Sequence, residues 1–137
     1  MPDERFAVLL IEDNPADADL VREALEGEAF RLEVIADGDR AVATLRQGTM
    51  RPGLILLDLN LPGLSGSAVL SALKQDAVLR TIPVVIFSSS RGCEDVRRCY
   101  ENHANCYVVK PPGLEQFLKV VRAVAEFWRT VPERPPA

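Results

Sequence analysis

Five short aliphatic runs, each bounded by turn-forming or polar residues, divide this chain of 137 residues. They are FAVLLI (6–11), LEVIA (32–36), LILL (54–57), IPVVIF (82–87) and CYVV (106–109). Hydrophobicity that is continuous rather than alternating marks strands covered on both faces, the condition of a parallel sheet between two layers of helices. The segments between the runs have helical periodicity. The first begins after Asn14 as N-cap, with Pro15 at the first helical position and Leu20, Val21, Ala24 and Leu25 on one stripe. A second runs from about Asp39 to near Gly48, a third covers SAVLSALKQ, a short polar fourth covers CEDVRRCYEN, and a fifth extends from about Leu114 to Val131. Five strand-helix repeats predict an α/β fold, a (βα)5 doubly wound parallel sheet. The common arrangement of this pattern is the flavodoxin-like strand order 2-1-3-4-5, in which right-handed crossovers place helices on both faces.

A chain that is 47% hydrophobic and 26% charged has material for one core. The reading is one domain over residues 1–131, followed by a disordered proline-rich tail, PERPPA, at 132–137. No apolar run is long enough to span a bilayer and MPDER lacks the basic flank of a signal peptide, so a cytoplasmic location without membrane attachment is expected. Cys93, Cys99 and Cys106 are odd in number and form no C-x-x-C pair, which indicates reduced thiols rather than a disulfide framework or a zinc site. A net charge of −4 argues against nucleic acid as a partner and points to proteins.

The strands of a parallel sheet all point one way, so the residues that follow them gather at one edge. Here these are Glu12 and Asp13, then Asp37, Asp58, Ser88 and Lys110. Strand order reverses between the first and third strands, which opens a crevice beside Glu12, Asp13 and Asp58. Two carboxylates about 4 Å apart repel by roughly 4 kcal/mol at an effective dielectric near 20, so the three acids require a proton or a cation. With only oxygen donors present, the ion expected is Mg²⁺, with Mn²⁺ as a substitute. Lys110 can supply positive charge to an incoming phosphoryl group, Ser88 can donate a hydrogen bond to it, and Asp58 can carry it as an acyl phosphate. Each residue also has a structural reading. Asp58 can end a strand in a turn, Glu12 and Asp13 can cap a helix, Ser88 can be a loop hydroxyl, and Lys110 a solvated surface charge. Asp37 reads as a turn former before Gly38, and His103 as a surface residue.

From LLIEDNPADADLVREAL through LILLDLNLPGLSG and VVIFSSS to CYVVKPP, the chain resembles the response-regulator receiver domain, the chemotaxis-regulator-like family. The spacings of 30 positions from Asp58 to Ser88 and 52 from Asp58 to Lys110 suit that family. The resemblance implies that Asp58 accepts a phosphoryl group from a partner histidine kinase in a phosphorelay. It also implies Mg²⁺ held by Asp13, Asp58 and the backbone carbonyl of Asn60, with Glu12 helping directly or through water. Phosphorylation and dephosphorylation would be self-catalysed and Mg²⁺-dependent. Lys110 and Ser88 would contact the phosphoryl group, Ser88 and Tyr107 would act as switch residues, and Asn60 and Ser90 would tune dephosphorylation. The Lys110–Pro111 bond would be cis. Glu12 stands where an aspartate is commoner, and KPPG carries an additional proline. EDNPAD and the ending VAEFW further resemble small stand-alone regulators that partner phytochrome-type kinases. With no output domain after Val131, such a protein signals through changed protein contacts or relays the phosphoryl group onward.

Two other functions fit the same residues. An aspartyl-phosphate hydrolase also uses a nucleophile at a strand end, although its second acid would fall at Asn60. A degenerate receiver would bind partners without phosphorylation, and a flavin-binding protein is disfavoured by the negative charge of EDNPAD. On the fifth helix, Leu114, Leu118, Val121, Ala125 and Trp128 form one stripe and Phe117, Val120, Val124, Phe127 and Val131 its neighbour. Together they are wider than the arc of roughly 100° that packing on a sheet requires, which points to a homodimer through this helix.

Overall fold

The computed structural model describes residues 4–133. Five parallel strands, β1 (Phe6–Ile11), β2 (Phe30–Ile35), β3 (Leu54–Leu57), β4 (Val84–Ser88) and β5 (Cys106–Val109), form one sheet in the order 2-1-3-4-5. They alternate with α1 (Pro15–Ala24), α2 (Gly38–Arg46), α3 (Gly66–Gln75), α4 (Cys93–Glu101) and α5 (Leu114–Thr130). The fold class and strand order are those the aliphatic runs predict.

Successive side chains of a strand point to opposite faces, and this alternation divides the core in two. Leu9, Ile11, Ile55, Leu57, Val84 and Ile86 pack with residues of α2 and α3 on one face. Val8, Leu10, Leu54, Leu56, Val85 and Phe87 pack with α1 and α5 on the other. The inner strands β1, β3 and β4 are therefore apolar, apart from Ser88 at the end of β4. The edge strand β2 instead carries Arg31 and Glu33, charges that discourage further strand pairing.

Several boundaries differ from the sequence reading for local reasons. Strand β2 begins at Phe30, which pairs with Phe6 in register and meets its ring edge-on at 6.3 Å between centroids. The run expected at 82–87 starts as a strand only at Val84, because Leu79–Thr81 form a 3-10 turn that Ile82 closes by donating to the Leu79 carbonyl, and Pro83 has no N–H to contribute to pairing. Asp37 is not a simple turn former. It is the N-cap of α2, its carboxylate accepting from the Arg40 N–H, so α2 starts at Gly38. His103 is exposed, with φ of 70°. No peptide bond among the described residues is cis, so the expectation for Lys110–Pro111 is corrected to trans, the isomer that X–Pro bonds favour by about 0.5–1 kcal/mol. Of the tail expected at 132–137, residues 134–137 lie outside the described residues.

Helix α5 rests on the sheet through Phe117, Val121 and Ala125, which are buried. Val120 and Val124 are half-buried, whereas Phe127 and Val131 are 47% and 66% exposed. At 100° per residue these four form a stripe about 90° from the buried one, so the broad apolar arc is only partly covered.

Candidate functional site

The carboxyl ends of β1, β3 and β5 deliver the site. Asp58 follows β3 directly, and its N–H donates to the Ile11 carbonyl at 3.1 Å, holding the aspartate against the end of β1. Behind it, Gly66 admits no side chain, since a Cβ there would lie 2.2 Å from the Asp58 carbonyl oxygen. That close approach, with the Gly66 N–H donating to the Leu59 carbonyl at 3.1 Å, fixes the loop leaving β3. Asp58 and Glu12 are 5% and 2% exposed, while Asp13 faces solvent.

Carboxylate oxygens of Glu12, Asp13 and Asp58 lie within 4.8 Å of one another. Burial and the adjoining Asp58 carboxyl push Glu12 up to about 7, against the opposing pull of Lys110. One Glu12 oxygen accepts from the Asn14 N–H at 3.3 Å and the other from Lys110 Nζ at 2.6 Å, which commits both oxygens locally. The Asn60 N–H donates to Asp58 Oδ1 at 3.3 Å, so the loop after β3 folds back over the acid. Three clustered oxygen donors, two of them buried, fit a hard divalent cation: its charge would offset the burial and the neighbouring Asp58 carboxyl that raise the proton affinity of Glu12.

Lys110 follows β5, where its N–H donates to the Ser88 carbonyl at 2.8 Å. The ammonium reaches Glu12 at 2.6 Å, Asp17 at 2.8 Å and Asp58 at 3.4 Å. Burial alone would lower its proton affinity, but the contacts with Asp17 and Glu12 and the charges of Glu12 and Asp58 outweigh it, and the net shift is upward. Ser88, the last residue of β4, is fully buried, and its hydroxyl oxygen accepts from the Ser90 N–H at 3.3 Å.

The remaining predicted residues lie around this core. The Ser90 hydroxyl donates to Asp95 on α4 at 2.5 Å, and the Ser90 carbonyl accepts from the Tyr107 hydroxyl at 2.9 Å. Tyr107 is half-buried on β5, and its own N–H donates to the Tyr100 hydroxyl at 3.1 Å. Asp37, expected at the same edge, is used up in capping α2. Sequence reasoning missed Asp17. The available signal was an acid in the first turn of the helix that starts after Asn14, at the edge where β1 ends.

Residues 8–122 match the family model for the response regulator receiver domain. The chain is 41% identical over 128 residues to the response regulator Rcp1 of Synechocystis sp. (strain ATCC 27184 / PCC 6803 / Kazusa), covering 88% of this chain and 87% of that protein. It is 40% identical over 132 residues to a probable methanogenesis regulatory protein, FilR2, of Methanothrix harundinacea (strain 6Ac), covering 92% and 85%. Among solved structures it superposes on the phosphorylated cyanobacterial phytochrome response regulator RcpA with a TM-score of 0.92 and 39% identity, covering 96% of this chain and 99% of that one. The Mn²⁺-bound form of Rcp1 gives a TM-score of 0.88 at 39% identity, covering 95% and 99%. The chain belongs to the response regulator receiver family, a family of signalling proteins. Its three-acid cluster fits divalent-cation binding.

Proposed function

We propose that this chain is a response regulator receiver domain, residues 1–131, that accepts a phosphoryl group on Asp58 from a phosphohistidine of a partner kinase. The observation that carries the reading is the convergence on Asp58 of a three-acid cluster and a buried ammonium, 4.8 Å and 3.4 Å being the limiting distances. An Asp58 oxygen attacks phosphorus in line, the P–N bond breaks, and its electron pair returns to the imidazole, leaving an acyl phosphate on this chain. Lys110 exchanges its contact with Asp58 for a phosphoryl oxygen, and Ser88 turns its hydroxyl hydrogen toward another. Mg²⁺, with Mn²⁺ as a substitute, would be held by Asp13, Asp58 and the Asn60 carbonyl and would neutralise phosphoryl charge. Glu12, with both oxygens engaged, would act through a water. Self-catalysed hydrolysis would reverse the modification, with Asn60 and Ser90 bordering the route of the attacking water.

The conformational output follows from what Ser88 and Tyr107 now hold. If Ser88 changes rotamer to bring its hydroxyl oxygen to the phosphoryl group, it releases the Ser90 N–H, and the Ser90 carbonyl is also the acceptor for Tyr107. Tyr107 then repositions, and the surface of α4 and β5 changes with it. The likeness to Rcp1 and RcpA supports a phytochrome-type kinase as partner. The partly covered stripe of Val120, Val124, Phe127 and Val131, exposed at Phe127 and Val131 and spaced by four, three and four residues, supports a homodimer through α5. A net charge of −4 opposes nucleic-acid binding, and no described helix is long and apolar enough to cross a membrane. A cytoplasmic site of action suits this reading, as do the three free cysteines.

Intact-mass measurement after incubation with Mg²⁺ and a small acyl phosphate tests the function. One added phosphoryl group on the native chain and none on Asp58→Asn is the expected result; an unmodified native chain refutes it. Ultracentrifugation tests the dimer, and a monomer at high micromolar concentration with and without a phosphoryl mimic refutes that part.

A further inference from the structure

The acids that hold Lys110 do not belong to one group. Glu12 and Asp58 are members of the clustered triad with Asp13, whereas Asp17 stands outside it. Asp17 is also presented differently. It projects from the first turn of α1, where Asn14 Oδ1 accepts from the Ala16 N–H at 2.9 Å and the Asp17 N–H at 3.2 Å, and where Pro15 fixes the entry of the chain. Its carboxylate is therefore carried on rigid backbone and points across to the loop after β5. Lys110, by contrast, has a long flexible stem. It borders a cleft of about 470 Å³ between α1 and α5, lined also by Leu20, Arg91, Pro111 and Phe117, which leaves room beside the ammonium.

We propose that Asp17 is the positioning residue that keeps Lys110 beside Asp58 when a divalent cation occupies the three-acid cluster, an inference that rests on the reading of Asp58 as phosphoacceptor. A cation in the cluster would draw charge density from Asp58 directly and from Glu12 through a water, weaken their hold on Lys110, and repel the ammonium. Asp17 is the carboxylate partner of Lys110 that the cation does not draw on. With Asp17 as anchor, the ammonium keeps one hydrogen on a fixed acceptor and directs another at the incoming phosphoryl oxygen. Without it, Lys110 swings into the cleft and the developing charge on the phosphoryl group loses a donor.

Bulk electrostatics predicts the opposite sign. Removing a negative charge close to an incoming anion should ease phosphorylation, so the direction of the effect separates a tether from a background charge. In saturating Mg²⁺ and acyl phosphate, Asp17→Asn should slow modification of Asp58 about tenfold, less than the loss on deleting a donor outright. Asp17→Glu should restore most of it, and in a Lys110→Met background Asp17→Asn should cause no further loss. A rate equal to or above that of the native chain overturns the proposal.

The readout independent of phosphoryl transfer is the side-chain ammonium signal of Lys110 in proton–nitrogen NMR with saturating Mg²⁺, assigned by its disappearance in Lys110→Met. A held ammonium exchanges slowly and gives a persistent peak in the native chain and in Asp17→Glu. In Asp17→Asn the peak should vanish while the backbone spectrum is retained. A peak absent from the native chain, or retained in Asp17→Asn, overturns the tether. A native chain that takes no phosphoryl group refutes the phosphoacceptor reading instead, and the ammonium comparison still decides the role of Asp17.

Discussion

Two partly buried lysines stand at opposite ends of the same sheet, and their sockets are opposite in kind. At the carboxyl end, Lys110 is surrounded by Glu12, Asp17 and Asp58. At the amino end, among the described residues, Lys74 donates to neutral oxygens alone: the carbonyls of Arg80 at 3.3 Å and Ile82 at 3.0 Å, and Asn105 Oδ1 at 3.2 Å. Burial lowers the proton affinity of Lys74, whereas the acids around Lys110 reverse that effect. The socket of Lys74 satisfies hydrogen bonds and ties α3 to the entrance of β4, without a charge that could be exchanged for another. The socket of Lys110 holds more negative charge than one ammonium neutralises. Under the proposed function, a metal ion would take up that excess and a phosphoryl group would replace one carboxylate contact.

The contrast breaks down unless the two lysines respond differently to the same substitution. Lys110→Met should lower the rate of phosphorylation by about 10²–10³, the usual cost of deleting a preorganised charge donor, as followed by intact mass over time. Gly66→Ala should come next, destabilising the fold by about 2–4 kcal/mol in urea denaturation and slowing phosphorylation, because the new Cβ collides with the Asp58 backbone. Lys74→Met should leave phosphorylation at the native rate while costing about 1–2 kcal/mol of stability for carbonyls left without donors. If Lys74→Met impairs phosphorylation as strongly as Lys110→Met, the division of roles is wrong.

A smaller effect sharpens the comparison through pH. Glu12 binds its proton up to about pH 7 in the folded chain but only to about 4.5 when exposed. Between these values the folded state holds a proton that the unfolded state has released, so this group's contribution to stability falls as pH rises across the window. Metal-free urea midpoints at pH 5 and pH 7.5 should show this decline in the native chain and lose it in Glu12→Gln. Mg²⁺ should oppose the decline most at the higher pH, where the proton no longer competes.

The architecture was legible because it rests on long-period signals. Five aliphatic runs and the caps at Asn14, Pro15 and Gly48 are decided by backbone chemistry within a few residues. Parallel strands then oblige Glu12, Asp13, Asp58, Ser88 and Lys110 to meet at one edge. What escaped the sequence depends on where side chains turn after a strand ends. Asp37 and Asp58 both follow a strand, yet Asp37 sits one residue ahead of a helix whose N–H groups claim it. Asp58, followed by Leu59 and Asn60, is left aimed at the crevice. Asp17 was missed for the converse reason: it lies on a helix, and only the packing of α1 beside the loop after β5 carries it to Lys110. The 3-10 turn before β4 and the trans Lys110–Pro111 bond likewise depend on how the connections close, which apolar periodicity does not encode.

The central claim is that one aspartate at the end of β3 serves both the cation cluster and the buried ammonium. Anomalous scattering from crystals soaked in Mn²⁺ tests it most directly. One ion bound to Asp13, Asp58 and the Asn60 carbonyl, with the Lys110 ammonium still directed at Asp58 and held by Asp17, is the predicted arrangement. Mn²⁺ bound elsewhere, or an ion in the cluster with Asp58 turned away from it, would contradict the account.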